Sequence, residues 1–161
     1  GTHDGLSLHQ DPRLREWNYG GFEGRDGEVM WAPILSAHGL VWDNKWTQWK
    51  DLTKQMSDKD IADTIHKNDT RGWAEYYDQI ANRLRAGLDD IVTTTRRAGG
   101  GDVLVVSHGS AIQTMAAIAS GGTAHGSTPN YSVTIIEYEN GAYHVKDLGD
   151  MGFFEKGKAA E

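Results

Sequence analysis

Cysteine is absent from all 161 residues, which excludes disulfides, thiolate catalysis and cysteine metal sites. No apolar run approaches the roughly 20 residues needed to cross a bilayer, and no basic-then-apolar signal opens the chain. No membrane partner is expected, and the expected location is the cytoplasm. Positive charge is in deficit: 16 Lys and Arg stand against 23 Asp and Glu, for a formal net charge of −7. Nucleic-acid backbones demand clustered cations, so no nucleic-acid partner is expected either. An acidic chain still binds a phosphate ester through a few local donors. An initiator Met is also lacking, and the opening Gly1-Thr2-His3-Asp4-Gly5 is what an internal fragment would show. What remains is 38% hydrophobic, 24% charged and poor in proline, the make-up of one globular domain able to bury a core.

Residues 1 to 25 carry Gly, Asp and charged side chains with no sustained period and read as mostly loop. From Asp26 to about Ala37, Val29, Met30, Pro33, Ile34 and Leu35 predict a short helix ended near Gly39. Four tryptophans follow between Trp31 and Trp49, and a Trp-rich helical cap insert over about 26–70 accounts for them. Ser57 is placed to cap a short helix, with Asp60 at its third position. The strongest helical pattern runs from Gly72 to Arg97: Trp73, Tyr76, Tyr77, Ile80, Leu84, Leu88, Ile91 and Val92 recur at spacings of three and four. The Gly99-Gly100-Gly101 run stops it.

Val103-Leu104-Val105-Val106 is apolar on both faces, the pattern of a buried parallel strand covered by helices. Ala111 to Ala119 reads as a helix packed through small residues. Tyr131–Tyr138 and Ala142–Leu148 read as strands joined at Asn140-Gly141, a pair suited to a tight type I′ turn. Helix, strand, helix, strand, strand gives an α/β class, with one domain over 1–161.

Two segments carry candidate chemistry. In the first, the apolar run ends in Ser107-His108-Gly109-Ser110 before a helix. Ligand sites in open α/β sheets lie beyond the C-terminal ends of strands, and His108 stands at that edge. Gly109 admits close backbone approach, and the N–H groups near Ser110 and Ala111 form an anion site. His108 either holds a phosphoryl oxygen there or only caps the strand end. The second segment is the Gly- and aromatic-bearing loop Asp11–Gly24. A carboxyl group partly desolvated there by Trp17 or Phe22 suits a general acid, while a solvated surface carboxylate is the plain alternative for Glu16.

Together these segments resemble the histidine phosphatases (phosphoglycerate-mutase-like). That family's Leu-x-Glu … Gly, aromatic or Leu, Glu-Gly pattern is matched by Leu14, Glu16, Gly20 or Gly21, Phe22, Glu23 and Gly24. Its later Ser-His-Gly is matched by Ser107, His108 and Gly109 after Val105 and Val106. Gly72-Trp73-Ala74-Glu75-Tyr76 with Arg83 is similar to the family's intervening helix, and Asn130–Thr134 to its final strand. The resemblance implies a three-layer α/β/α sandwich with a mostly parallel sheet.

It also implies a phosphomonoester hydrolase working through phosphohistidine, without a metal or other cofactor. His108 would donate to the phosphoryl oxygens and Glu16 would act as the proton shuttle. Gly109 and Ser110 would bind phosphate. The family's nucleophilic Arg-His-Gly and its Ser-x-x-x-Arg-Ala-x-x-Thr helix have no match, so the N-terminal strand and helix are expected to be missing and this chain alone inactive. The implied partners are a small phosphorylated substrate and either the chain's own cleaved N-terminal segment or a homodimer partner. A phosphoglycerate mutase of the same superfamily and a non-catalytic phospholigand-binding module are the alternatives. Gly21-Phe22-Glu23-Gly24 resembles the phosphatase form of the loop more than the mutase form.

The remaining histidines, His3, His9, His38, His66, His125 and His144, show no paired ligand spacing, so no metal site is assigned. Trp42, Trp46 and Trp49 stand at helical spacing and read as subdomain core, part of which shapes specificity if the insert covers the site.

Overall fold

The computed structural model describes residues 5–124 and 126–159. Two short 3-10 turns, Pro12–Leu14 and Gly20–Phe22, order the loop that opens the chain. Asp11 caps the first by accepting the Arg13 N–H at 2.9 Å, and the Arg13 guanidinium bridges Asp11 and Asp90. Helices α1 (Gly27–Ala37), α2 (Trp49–Thr53) and α3 (Asp58–Asn68) follow. Pro33 sits inside α1, where it removes the N–H that would bond one turn back. The capping box of α3 is formed as the sequence predicts: Asp60 N–H donates to the Ser57 hydroxyl, and the Asp60 carboxylate accepts the Ser57 N–H at 2.9 Å.

The long helix α4 (Tyr77–Arg97) begins five residues later than its apolar period predicts. Asp69 is the cause. Its buried carboxylate accepts the N–H groups of Arg71, Trp73 and Ala74, which commits residues 69–74 to a turn. Trp73 and Tyr76, expected on the apolar stripe, are therefore exposed. Within α4, Ile80, Leu84 and Leu88 face a core shared with Ile34, Leu52, Ile61 and Ile65.

Helix α5 (Gly109–Ala119) packs between α4 and a hairpin of β1 (Val133–Glu139) and β2 (Ala142–Asp150). Asn140 and Gly141 take φ of 52° and 87°, the positive values a type I′ turn needs. Register shifts between Val133 and Ile136 mark a bulge near the start of β1. A short α6 (Gly152–Lys158), absent from the sequence reading, ends the described chain.

The expected buried parallel strand is not formed. Val103–Val106 is unpaired, and Leu104 and Val106 are each 87% exposed. A strand needs a hydrogen-bonded neighbour, and none of the described residues supplies one. The sheet among the described residues is the two-stranded antiparallel hairpin, not a mostly parallel sheet. None of the described helices is long and apolar enough to cross a membrane.

Candidate active site

Glu16 lies at the start of α5. Its Oε1 accepts N–H bonds from Trp17 at 2.9 Å and Ala111 at 2.8 Å, and its Oε2 accepts the Ser110 N–H at 3.2 Å. The first amides of a helix lack partners within it and carry its positive dipole end, so a carboxylate is a natural occupant. The amides expected to receive phosphate are thus engaged by the chain's own carboxylate. Ser110 keeps its hydroxyl available to the site, sharing a 3.3 Å hydrogen bond with the Tyr19 hydroxyl. Burial, helped by the negative charges of Glu16 and Glu23, pushes the Tyr19 phenol up to about 12. It stays protonated and able to donate at neutral pH.

The backbone that presents Glu16 is clamped by Arg83. Its guanidinium donates to the carbonyls of Arg13, Arg15 and Glu16 at 2.7–2.8 Å, and pairs with both oxygens of Glu75. Both side chains of that pair are nearly buried, at 11% and 12% exposure. Burial opposes the charge on Glu75, and the Arg83 pairing overcomes it and holds the carboxyl below its ordinary value. Glu75 also accepts the Asn18 N–H at 3.1 Å, and Trp17 Nε1–H donates to Thr114 Oγ1 at 3.0 Å. The loop is therefore tied to α4 and α5 on both sides of Glu16. Ser107 adds a tie from the other segment, its hydroxyl donating to the Leu14 carbonyl at 2.7 Å.

Asp69 supports the same loop from below. A Cβ at Gly20, where φ is +62°, would collide with the Asp69 carboxylate and the Ala74 backbone. Burial acts to raise the Asp69 carboxyl, but the N–H donors of Arg71, Ala74, Trp73 and Gly21 outweigh it and hold the group at about 2.

His108 is the N-cap residue of α5, with extended backbone. Its ring is exposed and, among the described residues, makes no hydrogen bond. Glu16, Gly109 and Ser110 line one cleft of about 1020 Å³; His108 stands beside it without lining it. Tyr19, Trp31, Lys45, Trp46, Trp49 and Thr128 line it too, and Thr128 Oγ1 donates to the Gly109 carbonyl at 3.1 Å. Trp42, Trp46 and Trp49 cluster with Trp31 of α1 but do not sit on one helix as their spacing suggested: of the three, only Trp49 is helical. His38 and His66 bond backbone carbonyls, and His3 and His125 lie outside the described residues.

Asp69 and Tyr19 have no place in the sequence reading as supports of the site, and Arg83 enters it only through the resemblance, without a role. Arg83 had a signal, since it falls on the stripe of Ile80, Leu84 and Gly87, where an unpaired charge would be costly. Asp69 had one in Asn68-Asp69-Thr70-Arg71-Gly72, a turn-forming composition. Tyr19 had none.

A carboxylate held by the first amides of α5 and a histidine at that helix's N-cap thus stand at one helix start. The chain belongs to the histidine phosphatase superfamily (branch 1), whose family model matches residues 1–151. Among solved structures it is similar to phosphoglycerate mutase from Bacillus anthracis str. Sterne, at 33% sequence identity and a TM-score of 0.83. That match covers 96% of this chain and 65% of the other. No curated protein matches the chain.

Proposed function

We propose that this chain carries the acid–base and charge-stabilising half of a phosphomonoesterase whose nucleophilic histidine lies on a segment outside the present sequence. The observation that supports it most is the placing of Glu16 on the Ser110 and Ala111 amides, next in sequence to His108. The exposed Val103–Val106 run adds to it, since a further strand pairing there would bury it and extend the hairpin into a parallel sheet. The 65% coverage of the similar mutase leaves room for such a segment. Residues of about 26–70 would then act as the cap over the cleft.

In this scheme the nucleophilic nitrogen attacks phosphorus and the P–O bond to the leaving group breaks. Glu16 carries its proton on Oε2, the oxygen held by one long N–H bond from Ser110, and gives it to the departing alkoxide, while His108 donates to the phosphoryl oxygens as charge gathers on them. Water then attacks the phosphohistidine while Glu16 takes its proton, releasing inorganic phosphate. Splitting one hard displacement into two easier ones is what the covalent step achieves. Ser110 contributes its hydroxyl to phosphate binding, because its N–H is already donated to Glu16. Gly109 contributes a backbone with no side chain of its own, its carbonyl held by the Thr128 hydroxyl.

The second reading is a phosphoglycerate mutase, favoured by the identity of the similar structure. Phosphorus NMR of the gene product containing this sequence, incubated with 3-phosphoglycerate and with a simple phosphomonoester, separates the two. Release of inorganic phosphate from both is expected. Interconversion of phosphoglycerates without phosphate release would replace hydrolase by mutase, and binding without turnover would leave a phospholigand-binding module.

A further inference from the structure

The cleft has a second wall that phosphoryl transfer does not use. Trp46 stands there with φ of 59°, a left-handed conformation that a bulky side chain adopts only when its surroundings impose it. Asp43 imposes it. Its Oδ1 accepts the N–H groups of Lys45 and Thr47, both at 3.1 Å, and its Oδ2 accepts the Thr47 hydroxyl at 2.6 Å. The Trp46 indole then meets Trp31, Trp42 and Trp49 edge to face, with centroids 5.3, 4.6 and 5.2 Å away. Trp31 is buried in this cluster, whereas Trp46 is 45% exposed and lines the cleft shared with Glu16 and Ser110. The edge-to-face cluster fixes the Trp46 indole without covering it. The residue is locked by its neighbours in a costly backbone conformation and still presents surface to the site.

Resting on the phosphomonoesterase reading, we propose that Trp46 is a specificity residue and that the cleft takes phosphomonoesters whose leaving group is a flat aromatic ring. The ring would lie against the Trp46 indole while the phosphoryl group sits at the start of α5. Aromatic pairs gain from offset-stacked or edge-to-face geometry beyond the area they bury, so a saturated ring of equal carbon number is the fitting control. Lys45, on the same turn and the same cleft wall, places a cation within the site, which favours dianionic esters.

The test is binding, by calorimetry, of benzylphosphonate and cyclohexylmethylphosphonate to the gene product containing this sequence. Both are non-hydrolysable dianions, so turnover does not enter. The expected result is about tenfold tighter binding of the benzyl compound, falling to within about twofold in Trp46→Gly. Glycine suits the positive φ at that position, so this variant removes the indole without straining the turn. Equal affinities in the parent protein, no binding of either compound, or a preference that survives Trp46→Gly would each overturn the proposal, and the parent comparison holds whether or not the variant folds. Aromatic preference without hydrolysis of benzyl phosphate would sink the phosphomonoesterase reading and leave the Trp46 assignment standing.

Discussion

Glu16 and His108 stand at the same helix end, yet the molecule treats them oppositely. Glu16 is held by three N–H donors, and its backbone is clamped by a nearly buried guanidinium. His108 has an exposed ring at the end of an unpaired apolar run whose Leu104 is 87% exposed. The contrast shows which half of the site is preorganised by the residues present. The loop half draws its rigidity from α4 and α5, both well packed. The histidine half follows an apolar run that, among the described residues, pairs with no strand.

The sharpest way to break that contrast is to loosen the rigid half. Arg83→Leu leaves the nearly buried Glu75 with Arg15 as its one remaining cation and strips the donors from the Arg13, Arg15 and Glu16 carbonyls, and a loss of about 2–3 kcal/mol in unfolding free energy is expected by chemical denaturation. A loss under 1 kcal/mol would mean the clamp is not what fixes the loop. The histidine half should behave in reverse. His108→Ala should leave stability within about 0.5 kcal/mol, because the ring touches little. In the active gene product, however, it should lower turnover at least about a hundredfold, the scale of one charge-stabilising donor. A drop of less than tenfold would remove His108 from the site.

Leucines give the cleanest packing comparison. Leu84 is fully buried and Leu104 almost fully exposed. Leu84→Ala should cost about 2–5 kcal/mol and Leu104→Ala less than about 0.5 in this chain. If a strand covers the run in the complete protein, the Leu104 cost should rise there towards the Leu84 value.

The pH dependence comes from Asp69. Its folded carboxyl sits at about 2 against an ordinary 3.8, so it stabilises the fold above about pH 4. That contribution should be lost as pH falls from about 4 to about 2, and Asp69→Asn should flatten this part of the acid unfolding curve. An unchanged curve would show that the Gly20–Gly21 turn is held by something else.

Where a local rule suffices, the sequence was legible. Ser57 and Asp60 announce α3, Asn140-Gly141 the hairpin, and the stripe of Ile80, Leu84 and Leu88 the body of α4. The beginning of α4 was not legible, because the Asp69 carboxylate takes the amides of Arg71, Trp73 and Ala74 and overrides an apolar period that includes Trp73 and Tyr76. Val103–Val106 is unpaired for a different reason. Its composition expresses a need for burial, and burial depends on a partner that no local pattern reveals. Of the candidate site, Glu16, Gly109 and Ser110 meet at one cleft, while His108 stands beside it. Arg83 acts through bonds to carbonyls 67–70 residues away and Asp69 mainly through the amides of its own turn, for which the sequence shows only a misplaced charge and a turn-rich stretch.

Under the phosphomonoesterase proposal, these 161 residues shape the site and a histidine elsewhere makes the covalent bond. Trapping the phosphoenzyme of the gene product with a labelled phosphomonoester and mapping the base-stable, acid-labile phosphate by peptide sequencing decides it. Label is expected on a histidine outside this sequence and on none within it. Label on His108, or on any other histidine of this chain, would contradict it.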